Sequence, residues 1–349
     1  MKAANIGDVA RLAQVSPSTV SNFLNGRLDR MQIATRERIE VAISELGFTP
    51  SRVARQLKTG HASIIGLIVP TVANPFFGQL ATAIQEAAQA RGYQILLYNS
   101  RRDAERELEF ATELAAFGVK GIISGSALLS SGHVPALAAK GLAIVAFDGH
   151  QQALDDPRVD VVSLDNELAT QIAVDHLVAL GHRRIVYVTA PALIVSRVAR
   201  LAGFRAAVER HDIAATCSTH QIVLGAEKYG DDTIGELGRK AVSDIMTGPL
   251  KPTAIIAMND ILAIGIASGL HEQEIRIPQD VSLVGIDDLF LSSLMNPPLT
   301  TVRQPFQQLA EAAIESVACR IEGREPQSDR RGRIFPPALV TRKSTARIN

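Results

Sequence analysis

The feature that most constrains this chain is a change of pattern at Ile64. From there on, short apolar runs rich in β-branched residues alternate with amphipathic stretches of helical spacing, the pattern of parallel sheets covered on both faces by crossover helices. The runs fall at 64–70, 93–98, 119–124, 142–147 and 159–164, and a second series follows at 185–189, 219–223, 253–258 and 281–286. Between them the clearest helical stretches are 77–91, 169–180 and 261–273. Two series of similar plan predict an α/β body of two doubly wound parallel-sheet lobes. Such sheets bind ligands at the carboxyl ends of their strands, so the cleft between the lobes is the expected small-molecule site.

The first 48 residues follow the helical period instead. Ile6, Val9, Ala10 and Ala13 stand at i, i+3, i+4 and i+7, with Asn5 before them and Asp8 three residues on in capping-box spacing. A second helix opens at Ser16, a good N-cap, with Pro17 at the first helical position, and runs to Asn25 before Gly26. A third carries Ile39, Ala42, Ile43 and Leu46 on one stripe, then Gly47 and Pro50 as stop signals. The segment 51–58 reads as a polar linker able to form one or two helical turns.

On the second helix Pro17, Ser18, Ser21, Asn22 and Asn25 share one polar face opposite Val20 and Leu24. Short hydrogen-bonding side chains of this kind suit base edges and phosphates in a major groove. A merely solvated face is the alternative for a lone amphipathic helix; three helices, a charge surplus and a trailing linker favour the groove. Net charge over the 349 residues is zero, with 36 Lys and Arg against 36 Asp and Glu, yet residues 1–60 hold nine basic side chains and five acidic ones. A small basic head on a mildly acidic body is the asymmetry expected when only the head meets a polyanion.

Other classes are disfavoured. No apolar run approaches the ~18–20 residues that span a bilayer, and the first eleven residues lack the apolar stretch of a secretory signal, so a cytoplasmic location is expected. Cys217 and Cys319 are expected as two buried, reduced thiols. Catalytic motifs are missing: there is no GxSxG, no Walker A loop and no GxGxxG after the first strand, while His271-Glu272 lacks the second His of a zinc helix. His271 is expected at the surface. Asp287-Asp288 stand at a strand end and point opposite ways, so one can face the cleft while the other serves the structure. No cofactor and no metal site is expected.

Several ordered motifs now bear on identity. IGDVARLAQVSPSTVSNFLNG in the head, SRVARQLKTG in the linker, and NPFF, HLVALGHRRI, RLAGF, AMNDILAIG, VSLVGIDD and PPLTTVRQP in the body resemble the LacI/GalR (lactose-repressor) family over essentially the whole chain. The resemblance implies a helix-turn-helix head at 1–50, a hinge at 51–60, and a two-lobed core of periplasmic-binding-protein type at 61–349. The first lobe is expected at about 61–163 and 292–322, the second at about 164–291 and 323–349. It implies a repressor that binds a palindromic operator as a homodimer and responds to a small effector, a sugar or related metabolite, with no membrane partner. The tail from 323 on has no leucine heptads, which favours a dimer over a coiled-coil tetramer. The alternatives are a corepressor-dependent regulator responding to a purine-like metabolite, a periplasmic-type solute-binding protein, and an enzyme of the doubly wound class. Residues 1–58 argue against the second. Scarce aromatics, 4% with no Trp, argue against a base held between rings.

Site residues follow from the same resemblance. DNA contacts are expected from Asn5, Ser16, Pro17, Ser18, Thr19, Ser21, Asn22 and Asn25, and from Arg52, Ala54 and Leu57 in the hinge. In the family the leucine matched by Leu57 wedges into the minor groove with its dimer mate; packing on the core is the alternative. Effector contacts are expected from Phe76, Phe77, Asp148, Arg200, Asn259, Asp287 and Gln304, since carboxylates, amides and a guanidinium hold vicinal hydroxyls. Core packing stays open for the two rings, and Asp260 or Asp288 can serve only as helix caps. Two positions depart from the family: Gln14 stands at a turn position that is usually Gly, and Asn22 stands where Arg is common.

Overall fold

The computed structural model describes residues 4–24, 27–28, 31–48, 64–126, 134–148, 158–224, 233–324 and 332–348. Asn25, the hinge expected at 51–60, and its residues Arg52, Ala54 and Leu57 lie outside the described residues. The chain divides into two units, Met1–Ala62 and Ser63–Asn349.

In the first unit α1 (Ile6–Leu12), α2 (Pro17–Leu24) and α3 (Ile33–Leu46) follow the expected order. The Asn5 side chain accepts the Gly7 and Asp8 N–H groups at 2.8 and 3.2 Å, and the Asp8 carboxylate accepts the Asn5 N–H at 3.0 Å, so the capping box is closed in both directions. Ser16 Oγ accepts the Thr19 N–H at 3.1 Å and starts α2. α3 stops at Gly47, whose φ of 56° costs little without a Cβ. The three helices close over Val9, Ala10, Ala13, Val20, Ile39 and Ala42. Arg36 secures the connection into α3 by donating to the Leu28 and Met31 carbonyls at 2.7 and 3.2 Å. Gln14, in the turn between α1 and α2, has φ 54°. The backbone there takes the left-handed conformation that Gly favours, and the side chain is tolerated at a cost of about 1 kcal/mol.

The second unit holds two six-stranded sheets. The first contains β1 (Ile64–Val69), β2 (Gln94–Asn99), β3 (Gly121–Ser124), β4 (Ala143–Phe147), β5 (Val159–Leu164) and β11 (Gly332–Phe335), in the order β11-β5-β4-β3-β1-β2. The second contains β6 (Ile185–Thr189), β7 (Ser218–Gln221), β8 (Ala254–Ala257), β9 (Ser282–Asp287), β10 (Thr300–Arg303) and β12 (Ala338–Val340), in the order β12-β10-β9-β8-β6-β7. Described pairings are parallel apart from β10 with β12. The central strands are apolar on both faces and buried, as β8 (AIIA) illustrates, whereas the edge strands β2 and β7 carry exposed residues. All nine expected strands are present.

The crossover helices are α4 (Pro75–Ala90), α5 (Ala104–Ala116), α6 (Val134–Ala139), α7 (Asn166–Ala179), α8 (Val195–Arg210), α9 (Ile234–Thr247), α10 (Asp260–Glu272), α11 (Phe290–Leu294) and α12 (Phe306–Ile321). α9 and α10 touch backbone to backbone: a Cβ on Gly265 would stand 1.8 Å from the Gly235 carbonyl oxygen. The expected lobe boundaries need correction. β10 lies beside β9 in the second sheet, although 292–322 is expected in the first lobe, and β11 lies beside β5 in the first, although 323–349 is expected in the second. The chain changes lobe after Leu164, after Arg303 and after Phe335, and the short strands around the last two changes give each sheet its final members.

The thiols also differ from expectation. Cys217 and Cys319 are free, but each is partly exposed, because Cys217 leads into the edge strand β7 and Cys319 lies in the last turn of α12.

Candidate functional site

Two sites emerge, one in each unit. In the head, α2 turns Val20 into the core and leaves Pro17, Ser18 and Asn22 exposed, with Thr19 and Ser21 half-buried. Asn5 and Ser16 are exposed but already engaged, Asn5 in the cap of α1 and Ser16 with the Thr19 N–H and hydroxyl. Any contact they make must share those bonds.

In the core, both sheets reverse their winding at a central pair, β1 with β3 and β6 with β8, and the strand ends there open into one cavity. The first lobe lines it with Asn74, Phe76, Phe77, Arg102, Phe147 and Asp148, and the second with Ser196, Arg197, Arg200, Met258, Asn259 and Asp287. Its volume of about 70 Å³ admits on the order of five water-sized spheres. Six of the seven effector residues expected from sequence meet at this cavity. Gln304, the seventh, stands behind it and donates to Asp287 at 2.6 Å.

The polar groups form one chain of bonds. Asp148 accepts the Leu164 N–H at 3.1 Å and the Asn166 amide at 3.2 Å, and Asn166 in turn accepts Arg200 Nε at 2.8 Å. Arg200 also donates to the Met258 carbonyl and, at 3.4 Å, to Asp287. Burial pushes the Asp287 carboxyl up to about 7, with Arg200 pulling against the shift and Asp260 adding to it. Burial raises Asp148 as well, again opposed by Arg200. Asp148, Asp287 and Asp288 have φ values of 50°, 137° and 58°, and Arg101 and Arg102 have 53° and 59°. Five non-glycine residues on the positive side of φ at strand ends mark a place where the fold holds strain, as ligand sites do.

The structure also separates the roles left open by sequence. Phe77 is both core and cavity wall, and meets Phe76 edge-on at 4.9 Å. Asn259 lines the cavity while capping α10 through the Leu262 N–H at 2.9 Å. Asp260 turns away, accepting from the Leu289 N–H and the Ser292 and Thr301 hydroxyls at 2.6–2.9 Å. Asp288 binds Arg303 at 2.6 Å and Arg342 at 2.5 Å, so of the adjacent acids only Asp287 faces the cavity. His271 is exposed in the last turn of α10. Sequence reasoning missed Asn74, Arg102, Phe147, Ser196, Arg197 and Met258 as cavity residues. NPFF contained Asn74 and AMNDILAIG contained Met258, Phe147 ends the expected strand 142–147, and Arg102, Ser196 and Arg197 sit on a loop or a helix start where periodicity carries no signal.

Comparison with known proteins finds matches for both units. Residues 5–51 match the model of bacterial regulatory proteins, lacI family, and residues 174–345 match a periplasmic binding protein-like domain. The ribose operon repressor of Escherichia coli (strain K12) is 32% identical over 351 residues, covering 98% of this chain and 99% of that protein. A structure of the lac repressor dimer bound to operator and the anti-inducer ONPF superposes with a TM-score of 0.84 at 28% identity, covering 99% of this chain and 100% of the other. A LacI family transcriptional regulator from Enterococcus faecium with bound ribose gives 0.70 at 26% identity over 82% of this chain and 100% of its own. Among the described residues no helix is long and apolar enough to cross a membrane. With a head and a core of one kind matched in order through nearly its whole length, the chain belongs to the lacI family of bacterial regulatory proteins.

Proposed function

We propose that the protein is a transcriptional repressor that holds a palindromic operator as a homodimer and changes its DNA affinity when a sugar or related polyhydroxy metabolite enters the cleft. The observation that carries this reading is the cluster of Asp148, Arg200, Asn259 and Asp287 around one cavity, in the same chain as a head whose second helix presents Pro17, Ser18 and Asn22 to solvent. Carboxylates and a guanidinium bind vicinal hydroxyls by paired hydrogen bonds, and the phenyl rings of Phe76 and Phe77 offer an apolar wall to the carbon face. The related regulator with bound ribose and the ribose operon repressor support a sugar. Exposed apolar side chains on edge elements, Leu96 and Leu97 on β2 and Phe290 and Leu294 on α11, support pairing of two copies. The family is one of regulators rather than enzymes, and binding without turnover is the expected chemistry.

Selection of random-sequence DNA by the purified protein tests the reading. An enriched palindrome bound by a dimer, as read by light scattering, is expected; no enrichment would contradict it.

A further inference from the structure

Asp148 follows β4 in the first lobe and Arg200 projects from α8 in the second, and the two are joined through a third side chain, that of Asn166. Asn166 is 5% exposed and does not line the cavity. It is the first residue of α7, just past the point where the chain first changes lobe. Its Nδ2 donates to Asp148 at 3.2 Å and to the Leu164 carbonyl at 3.3 Å, while its Oδ1 accepts Arg200 Nε at 2.8 Å. A carboxylate accepts and a guanidinium donates, so a group bonded to both must do each in turn, as a side-chain amide does. Helix capping does not account for this amide, because Asp165 already caps α7 by accepting the Leu168 N–H at 2.9 Å.

The same stretch of chain sits at the hinge. The Asp165 N–H donates to the Phe335 carbonyl at 2.9 Å, which joins the first change of lobe to the third. From Asn166 the bonds continue through Arg200 to Asp287 at 3.4 Å, and Gln304 donates to Asp287 at 2.6 Å directly after Arg303, where the chain changes lobe a second time. Bonded groups thus connect all three crossings, and Asp148, Arg200 and Asp287 on that path also line the cavity. Buried hydrogen bonds in series polarise one another, and breaking one leaves its neighbour unsatisfied. A change in the angle between the lobes moves Asp148 against Arg200, and Asn166 is bonded to both.

We infer that Asn166 is a positioning residue that converts occupancy of the cleft into a change at the hinge, by holding Asp148 and Arg200 in register across the lobes without touching the effector itself. This rests on the reading of the cleft as the effector site. A ligand that engages Asp148 from one lobe and Arg200 and Asp287 from the other alters the two bonds of Asn166, and the path through Asp165 and Gln304 carries the change to the other crossings. A ligand shifts such an equilibrium only as far as it binds one lobe arrangement better than the other.

The first test needs no ligand. Hydrogen exchange of the full-length protein is compared between wild type and Asn166→Ala, with Asn166→Ser, whose hydroxyl is too short to reach both partners, read in parallel in case the Ala variant does not fold. Exchange should rise about tenfold or more both at 159–168 and at the distant second crossing, 301–309, with the core segment 254–270 unchanged. A rise confined to 159–170, or one that includes 254–270, assigns Asn166 a structural role and overturns the inference. The second test uses D-ribose as probe, with calorimetry for its binding and anisotropy for the operator. Asn166→Ala should still bind D-ribose, yet at saturation its operator Kd should stay within about twofold of the ligand-free value, where the wild type changes by about 5–150-fold. A full operator response in the variant, or loss of D-ribose binding by the variant alone, overturns the inference. D-ribose that does not bind the wild type, or that leaves its operator Kd unchanged, counts against the reading of the cleft as a sugar site, and hydrogen exchange then decides the inference alone.

Discussion

Asp287→Asn is the substitution whose consequence follows most directly from the geometry. Asp287 is 3% exposed, sits at φ 137°, and holds its proton until about pH 7 because burial outweighs the attraction of Arg200. Asn fills the same space, tolerates positive φ better than most residues, and keeps an acceptor for Gln304 and Arg200. It differs in having no charge to bury. In the unfolded chain the acid ionises near ~3.9. The folded state therefore binds the proton more tightly, and the wild type loses stability as pH rises from ~4 through 7, whereas the variant has no such loss at this position. Between pH 5 and pH 8 the variant's advantage should widen by roughly 2–3 kcal/mol, on the scale of 1.36 kcal/mol per pH unit. Denaturant unfolding of both proteins at pH 5, 6, 7 and 8 reads the effect. A difference that stays constant over that range, or that shrinks as pH rises, would refute the reasoning.

Gln14→Gly should stabilise the head by about 1 kcal/mol, because the residue occupies φ 54° and Gly removes the Cβ clash there; no gain in unfolding experiments would show that the turn carries no strain. Gly265→Ala should cost about 3 kcal/mol or more, since its Cβ would stand 1.8 Å from the Gly235 oxygen and α9 and α10 would have to part. A loss under about 1 kcal/mol in denaturant unfolding would mean that the pair yields easily. Asn22→Arg should change one symmetric operator position from adenine to guanine, a discrimination of about 1–3 kcal/mol if each contact is bidentate. Identical preferences of both proteins in operator selection would remove Asn22 from base readout.

The parts legible in sequence are those fixed by local periodicity or local chemistry. The capping box at Asn5 and Asp8 needs only residues three apart, and the stripe of Ile39, Ala42, Ile43 and Leu46 states its own period. The central strands were legible because a strand buried on both faces is an apolar run. β10, β11 and β12 were not, since β10 (TTVR) and β11 (GRIF) are short and interrupted by polar residues, so that neither forms an apolar run, and β12 is only three residues long. The lobe boundaries failed with them. Motif resemblance supplied Arg200, Asn259 and Asp287, yet no motif marks Arg102 or Arg197, which reach the cavity only because the ends of β2 and β6 converge there. The same convergence brings Asn166, which follows the first change of lobe, between Asp148 and Arg200.

The central claim is that the cleft governs the head, and the direct measurement is operator affinity with and without the cleft ligand. Fluorescence anisotropy on the selected operator, with wild type and Arg200→Ala, should give a Kd that changes about 5–150-fold on saturation with that ligand in the wild type, the range of ordinary coupling between sites. In Arg200→Ala the same ligand concentration should leave the operator Kd within twofold of its ligand-free value, because Arg200 joins Asn166, Met258 and Asp287 at the cavity wall. An operator Kd indifferent to the ligand in the wild type, or an equal response in the variant, would contradict the account.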